Sequence, residues 1–301
     1  MIIEFLTPDA SAWDAATVLV RASYYATSLC AGGAALFHAG FSHRLLEDDA
    51  RAVRRLAAGA AIAAIILSLA ALMVRAGVLS GGGDLFDART WEAMLASRIG
   101  DAFWIRLAGL LMITMLVTGV AVAPHLAVAG ALAVVASYAA MGHSMLYRPR
   151  QEIAALVVIH LACVSFWVGS LLPLARLARG ADPEAPAILA AWSRLARPVV
   201  AVLIASGATL AVLMVRRLDL LYATSYGWAL TVKLLLVTVM LALAARHAFG
   251  LLPAAARGEP RAGARLARSI RLEAGVALLV FWAAAEMVSI HPLDAGHRVA
   301  S

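Results

Sequence analysis

The chain has 301 residues, 63% of them hydrophobic and 14% charged, with a mean hydropathy of +0.87. A soluble domain of this length is nearer half apolar and a quarter charged, so the composition excludes an ordinary soluble domain and indicates an integral membrane protein. The net charge of +7 sits on arginines gathered between apolar segments, which is a membrane-orientation pattern and not a nucleic-acid groove.

A membrane span needs about 20 mainly apolar residues. Eight segments meet this, roughly 14–39, 54–79, 102–123, 125–147, 152–176, 192–215, 227–250 and 266–290. Apolar runs of that length exclude barrel strands, leaving an all-α integral membrane bundle of eight transmembrane helices over 1–301 as a single domain. The first segment has an acidic front (Glu4, Asp9, Asp14) and no basic leader, so it reads as a retained span. Residues 80–100 open with SGGGD and turn amphipathic in RTWEAMLASRIGDAFW, which predicts a loop and a short interfacial helix between spans two and three. Arg44, Arg51, Arg54 and Arg55 follow span one. Arg176, Arg179, Arg194 and Arg197 gather at the connection of spans five and six and the span ends that flank it, and Arg246, Arg257, Arg261, Arg265, Arg268 and Arg271 likewise at that of spans seven and eight. Those loops are expected on the cytoplasmic side, with both termini on the periplasmic side.

Depth along each span follows from a rise of about 1.5 Å per residue. His143 and Met141 fall one to two turns below the outer surface in span four, and His160 lies about 12 Å down span five with Cys163 one turn deeper. Arg21 and Lys233, the single lysine, reach similar depths in spans one and seven. Glu286 and Met287 lie one turn below the outer end of span eight, with His291 and His297 beyond. An ionisable residue in hydrocarbon needs a partner, a ligand or water, so this set predicts a polar cavity open to the outside. Arg21 and Lys233 are read as balancing charge, snorkelling outward or pairing with Glu286. His38, His125 and His247 sit near the cytoplasmic ends, where interfacial solvation is the simpler reading.

Imidazole, thiolate and thioether together suit Cu(I), and imidazole alone also suits Cu(II) and zinc. The plain alternatives are an interhelical hydrogen bond for His143 and His160, a small buried residue at Cys163, and packing for Met141, Met145 and Met287. Cys30 and Cys163 both lie in apolar segments and imply no disulfide framework. No GxxxxGK[ST] stretch occurs, so an ATP-driven pump within this chain is not expected.

GHSM at 142–145, HLACVSFWVGSLLPL at 160–174, SRLARPVVAVLIASGATLAVL at 193–213, ATSYGWALTVKLLLV at 223–237 and RSIRLEAGVALLVF at 268–281 follow one another in an order that resembles a known family. It is the bacterial copper resistance protein D family (CopD, PcoD and relatives), and the resemblance covers essentially the whole chain. The H-(x)6-WVG and YG-(x)5-K stretches are its most specific parts. Ser170 stands where the family has a second glycine after WVG. The resemblance implies an eight-span protein of the bacterial inner membrane that handles copper, as Cu(I) or Cu(II), and is not an enzyme. It implies uptake from the periplasm with a separate periplasmic copper carrier of the CopC type as partner. It assigns metal-binding roles to His143, His160 and a tail histidine, either His291 or His297, and matches Lys233 to the lysine of span seven. Cys163, Met141 and Met287 remain candidate further soft ligands, with Lys233, Glu286 and Arg21 as charge or coupling groups. Two other functions compete with a copper permease. One is a b-type haem or quinone-linked redox protein using facing histidines, which the unequal depths of His143 and His160 disfavour. The other is a copper chaperone for oxidase assembly that binds without transporting.

Overall fold

A computed structural model of the chain describes residues 12–81, 85–141, 150–180, 182–215 and 225–289, and every regular element among these is helical. In chain order they are α1 (Ala12–Phe41), α2 (Glu47–Leu79), the short α3 (Ala88–Leu95), α4 (Arg98–Thr114), α5 (Ala123–Met141) and α6 (Arg150–Leu177). Then come α7 (Ala185–Val215), α8 (Ser225–Arg246), α9 (Leu252–Ala256) and α10 (Ala262–Ser289). A π-helical turn, His247–Leu251, joins α8 to α9.

Among the described residues seven stretches are long and apolar enough to cross a membrane: Glu47–Leu79, Arg98–Thr118, Ala123–Ala140, Gln151–Leu177, Ala185–Leu213, Gly227–Ala256 and Ala262–Ser289. The eighth expected span, 14–39, corresponds to α1, which is 30 residues long and is not among those seven. Its position accounts for this. α1 packs against α2, α4, α5, α6 and α10, so most of its surface meets other helices instead of lipid. Its hydroxyls fold back on the preceding turn, Thr17 onto the Trp13 carbonyl (2.8 Å), Thr27 onto Ser23 (2.9 Å) and Ser28 onto Tyr24 (2.6 Å). Polar side chains satisfied this way cost little inside a bundle.

The amphipathic stretch forms α3 and the start of α4. Asp87 caps α3 by accepting from the Thr90 amide (2.8 Å) and hydroxyl (2.7 Å), and Ser97 caps α4 through the Ile99 amide (3.2 Å). The Thr90 hydroxyl, then its amide, hold the Asp87 carboxyl below the usual carboxylate range. The third expected span runs to 123, whereas the helix ends at Thr118 because Gly119 turns left-handed (φ 72°).

Water does not drive helices together within lipid, so close packing and interhelical hydrogen bonds set the crossings. α1 crosses α6 at Gly33 and Gly169, where a Cβ on Gly33 would overlap the Ser165 carbonyl, and one on Gly169 would overlap Gly33. Ser165 Oγ donates to the Leu29 carbonyl (2.8 Å) beside that contact. α4 crosses α5 in the same manner at Gly109 and Gly130. One core cluster joins α1, α2, α4 and α5; a second gathers Trp167, Leu171 and Leu174 of α6 with residues of α7, α8 and α10. α7 packs chiefly on α6 and touches α9, so a cleft remains between α7 and α8.

All the arginine-rich connections lie at one end of the bundle. There Arg44 pairs with Glu184 (3.2 Å) and Arg176 with Asp49 (2.5 Å), while buried Asp182 accepts from the amides of Leu46 (3.4 Å) and Glu184 (2.8 Å). Exposed pairs of this kind contribute little singly, yet together they join the α1–α2 connection to the α6–α7 connection.

Candidate functional site

His160 lies ten residues into α6, about 15 Å from its first turn and away from the arginine-rich end. The Gly33–Gly169 crossing and the Ser165 hydrogen bond fix that part of α6 against α1 and leave His160 toward α7. There its Nδ1 stands 3.4 Å from Ser206 Oγ. The adjoining residue, Gly207, has no side chain to fill the space: a Cβ at that position would lie 3.0 Å from His160 Cε1 and 3.3 Å from Nδ1. Ser206 Oγ donates to the Leu203 carbonyl (3.1 Å), so its lone pairs face the ring. In that pattern Nδ1 carries the proton, and Nε2 keeps the lone pair with which a neutral imidazole binds a metal. Lys233 on α8 lies within electrostatic reach of the ring.

The other expected residues are distributed around this point. Cys163, a free thiol, is half-buried one turn along α6. Met287 of α10 is buried among Ala229 and Leu230 of α8 and Val288, in a packing position. Glu286 is 2% exposed, and its Oε1 has no hydrogen-bond partner. Among the described residues no ion pair joins it to Arg21 or Lys233. Met141 is the last residue of α5, and its side chain lies outside the described part, as do His143, His291 and His297. Among the described residues no three His, Cys, Asp or Glu side chains converge on a metal position.

Two polar centres escaped the sequence reading. Arg106 of α4 is 4% exposed, its guanidinium carbon 4.5 Å from the ring centroid of Tyr138 and 5.0 Å from that of Tyr24. Its Nε donates to Ser137 Oγ (3.1 Å), and the Tyr138 hydroxyl meets Ser28 Oγ (2.6 Å). Among the described residues the rings, and no carboxylate, compensate this buried charge. An arginine eight residues inside α4 was the available signal, but its partners are distant in sequence.

The second centre lies in the arginine-rich half. Glu273 of α10 accepts from Trp167 Nε1 (2.8 Å) and pairs with His247 Nδ1 (3.1 Å), while His247 Nε2 meets Ser269 Oγ (2.8 Å). A cavity of about 290 Å3 adjoins them, walled by α6, α7, α8 and α10. His247, expected to be solvated at the interface, is therefore held by protein groups. His38 also departs from that expectation, being 5% exposed with neither ring nitrogen hydrogen-bonded, whereas His125 is exposed.

Two family models match the chain. One described as copper resistance protein D-like, N-terminal domain, covers residues 11–148, and one described as copper resistance protein D covers 186–287. Helix α6, with His160, lies between the two matched stretches. The chain is similar to Copper resistance protein D of Pseudomonas syringae pv. tomato, at 28% identity over 94% of this chain and 99% of the relative. It is similar to Inner membrane protein YebZ of Escherichia coli strain K12, at 26% over 79% and 84%. Copper transport protein CutJ of Bacillus subtilis strain 168 shares 25%, over 93% of this chain and 53% of that longer relative. No solved structure matches.

Proposed function

We propose that this chain, which belongs to the copper resistance protein D family, carries copper inward across the bacterial inner membrane by way of His160. In this reading the arginine-rich end is cytoplasmic, α1 is an eighth span enclosed by the others, and His160 stands in the periplasmic half. The observation that carries it is the state of the His160 imidazole. It lies within an apolar bundle, one nitrogen 3.4 Å from the Ser206 hydroxyl and the ring within reach of the Leu203 backbone carbonyl, beside a glycine that leaves it room.

A conduit must hold its cargo firmly enough to capture it and loosely enough to release it. A site dominated by imidazole meets that need better than a closed thiolate cage, and imidazole accepts both copper oxidation states. His143 and one of His291 or His297 complete the ligand set, and Cys163 and Met141 are secondary soft donors. Met287 is less suited, because it is packed against α8. Glu286, Lys233 and Arg21 set the charge of the outer half. A separate periplasmic carrier of the CopC type supplies the copper, and the chain has a transport role and not an enzymatic one.

Copper binding by the purified chain, in competition with a chromophoric Cu(I) chelator, tests this reading. His160→Ala is expected to weaken binding by about tenfold or more. An affinity equal to wild type rules out His160 as a ligand.

A further inference from the structure

The cavity of about 290 Å3 lies in the cleft between α7 and α8, backed by α6 and α10. Its lining comes from the closing turns of α6 and α8 and the opening turns of α7 and α10. It therefore sits in the half of the bundle next to the arginine-rich connections. Its interior is hydrocarbon, with Leu171, Leu174, Leu189, Val200, Leu241 and Ile270 among the walls. Phe249, 79% exposed, adds an apolar ring on the lipid side.

The polar groups of the lining fall into two sets. Glu273 is its one carboxylate, and both oxygens are engaged, Oε1 by the Trp167 indole N–H and Oε2 by His247 Nδ1. That set is satisfied within the protein. The second set stands at the rim, where Ser193 and Arg197 lie one turn apart on one face of α7. Arg197 is exposed, and its side chain leans toward the start of α7, which is the arginine-rich membrane surface. Arg246, the last residue of α8, is exposed beside the lining residues Ala245 and His247. Among the described residues neither Arg197 nor Arg246 pairs with a carboxylate, whereas Arg44, Arg54 and Arg176 at the same end do.

An unfilled apolar cavity forfeits dispersion contacts along its walls, and here lipid borders the cleft. A hydrocarbon slot rimmed by unneutralised arginines matches a molecule with an acyl chain and a negative headgroup. Basic pockets between transmembrane helices hold such headgroups, and the guanidinium fork suits a phosphate. A zwitterionic headgroup fits less well, because it brings its own cation to the arginines.

We infer that the α7–α8 cleft is a binding site for one anionic phospholipid, with an acyl chain in the cavity and the phosphate held by Arg197 and Arg246. The chain supplies α7 with the packing that α8 does not, since α7 packs chiefly on α6. The site lies in the opposite half from His160 and is independent of the copper reading.

The test titrates the full chain in detergent with phosphatidylglycerol or phosphatidylcholine of identical acyl chains. Native mass spectrometry counts bound lipid, and a thermal melt follows stability. Wild type is expected to retain one phosphatidylglycerol, about fivefold or more tighter than phosphatidylcholine, and to melt higher with it. Arg197→Gln is expected to weaken phosphatidylglycerol about fivefold, the scale of one arginine at an anionic surface, and to leave phosphatidylcholine unchanged. Arg55→Gln, on α2, which contributes nothing to the lining, is expected to bind as wild type does. Ala244→Phe, which fills the cavity, is expected to lose the bound lipid, and Ala196→Phe does the same from α7 should the first variant not fold. Equal affinity for the two lipids, an equal loss in Arg55→Gln, or lipid retained by the filled variants overturns the inference. Displacement by soluble glycerol 3-phosphate also overturns it, because the acyl chain then contributes nothing.

Discussion

Gly207 leaves His160 the space its ring occupies: a single methyl group there would lie 3.0 Å from Cε1. The ring touches α7 by this gap and by the Ser206 hydroxyl, so these two neighbours control where its free nitrogen points.

Gly207→Ala is expected to displace the ring and weaken copper binding without unfolding the protein. Ser206→Ala removes the hydroxyl beside Nδ1 and is expected to cost about tenfold in affinity, the scale of an outer-shell partner. Chelator competition alongside a thermal melt separates loss of binding from loss of fold.

The α1–α6 crossing depends on glycine at two facing positions. Gly169→Leu is expected to force the helices apart and cost about 1–3 kcal/mol or more, since overpacked contacts cannot relax locally. Gly40→Ala, where a Cβ meets nothing within 4 Å, is expected to be neutral or to stabilise by up to about 1 kcal/mol. Thermal unfolding in detergent compares the two.

Arg106 is compensated by aromatic rings, so removing a ring face matters more than removing a hydroxyl. Tyr138→Leu is expected to destabilise by about 2 kcal/mol or more, whereas Tyr138→Phe keeps the ring and loses about 1 kcal/mol with the Ser28 contact. Crossing each with Arg106→Met in a double-mutant cycle isolates the ring–guanidinium part.

The Asp87 cap makes α3 sensitive to acid. Its carboxyl is held below the usual range, so the cap's stabilisation is present above the ordinary aspartate value and is lost as pH falls through the lowered one. Amide exchange in 88–95 is expected to accelerate only at such low pH in wild type. Asp87→Ala is expected to exchange fast at every pH, and Asp87→Asn to stay capped without pH dependence.

Hydropathy made the apolar helices legible because lipid exposure demands long apolar runs. The segment 14–39 reads as a span as well, and its tyrosines and hydroxyls are tolerated because neighbouring helices surround them. Expected helix starts fall too late where polar residues continue the helix: α2 begins at Glu47 and α7 at Ala185, ahead of the expected span starts at 54 and 192. His160 stood out as an ionisable group in an apolar stretch, and its neighbours Ser206 and Gly207 did not, being ordinary residues until α7 is laid against α6. Glu273 lies inside the expected eighth span, yet its meaning depends on His247 and Trp167, which only the tertiary packing brings to it.

The most direct measurement is Cu(I) uptake into proteoliposomes by wild type, His160→Ala and His143→Ala. The account predicts saturable uptake by wild type and its loss in His160→Ala, with His143→Ala impaired as well. Uptake by His160→Ala at the wild-type rate would contradict it.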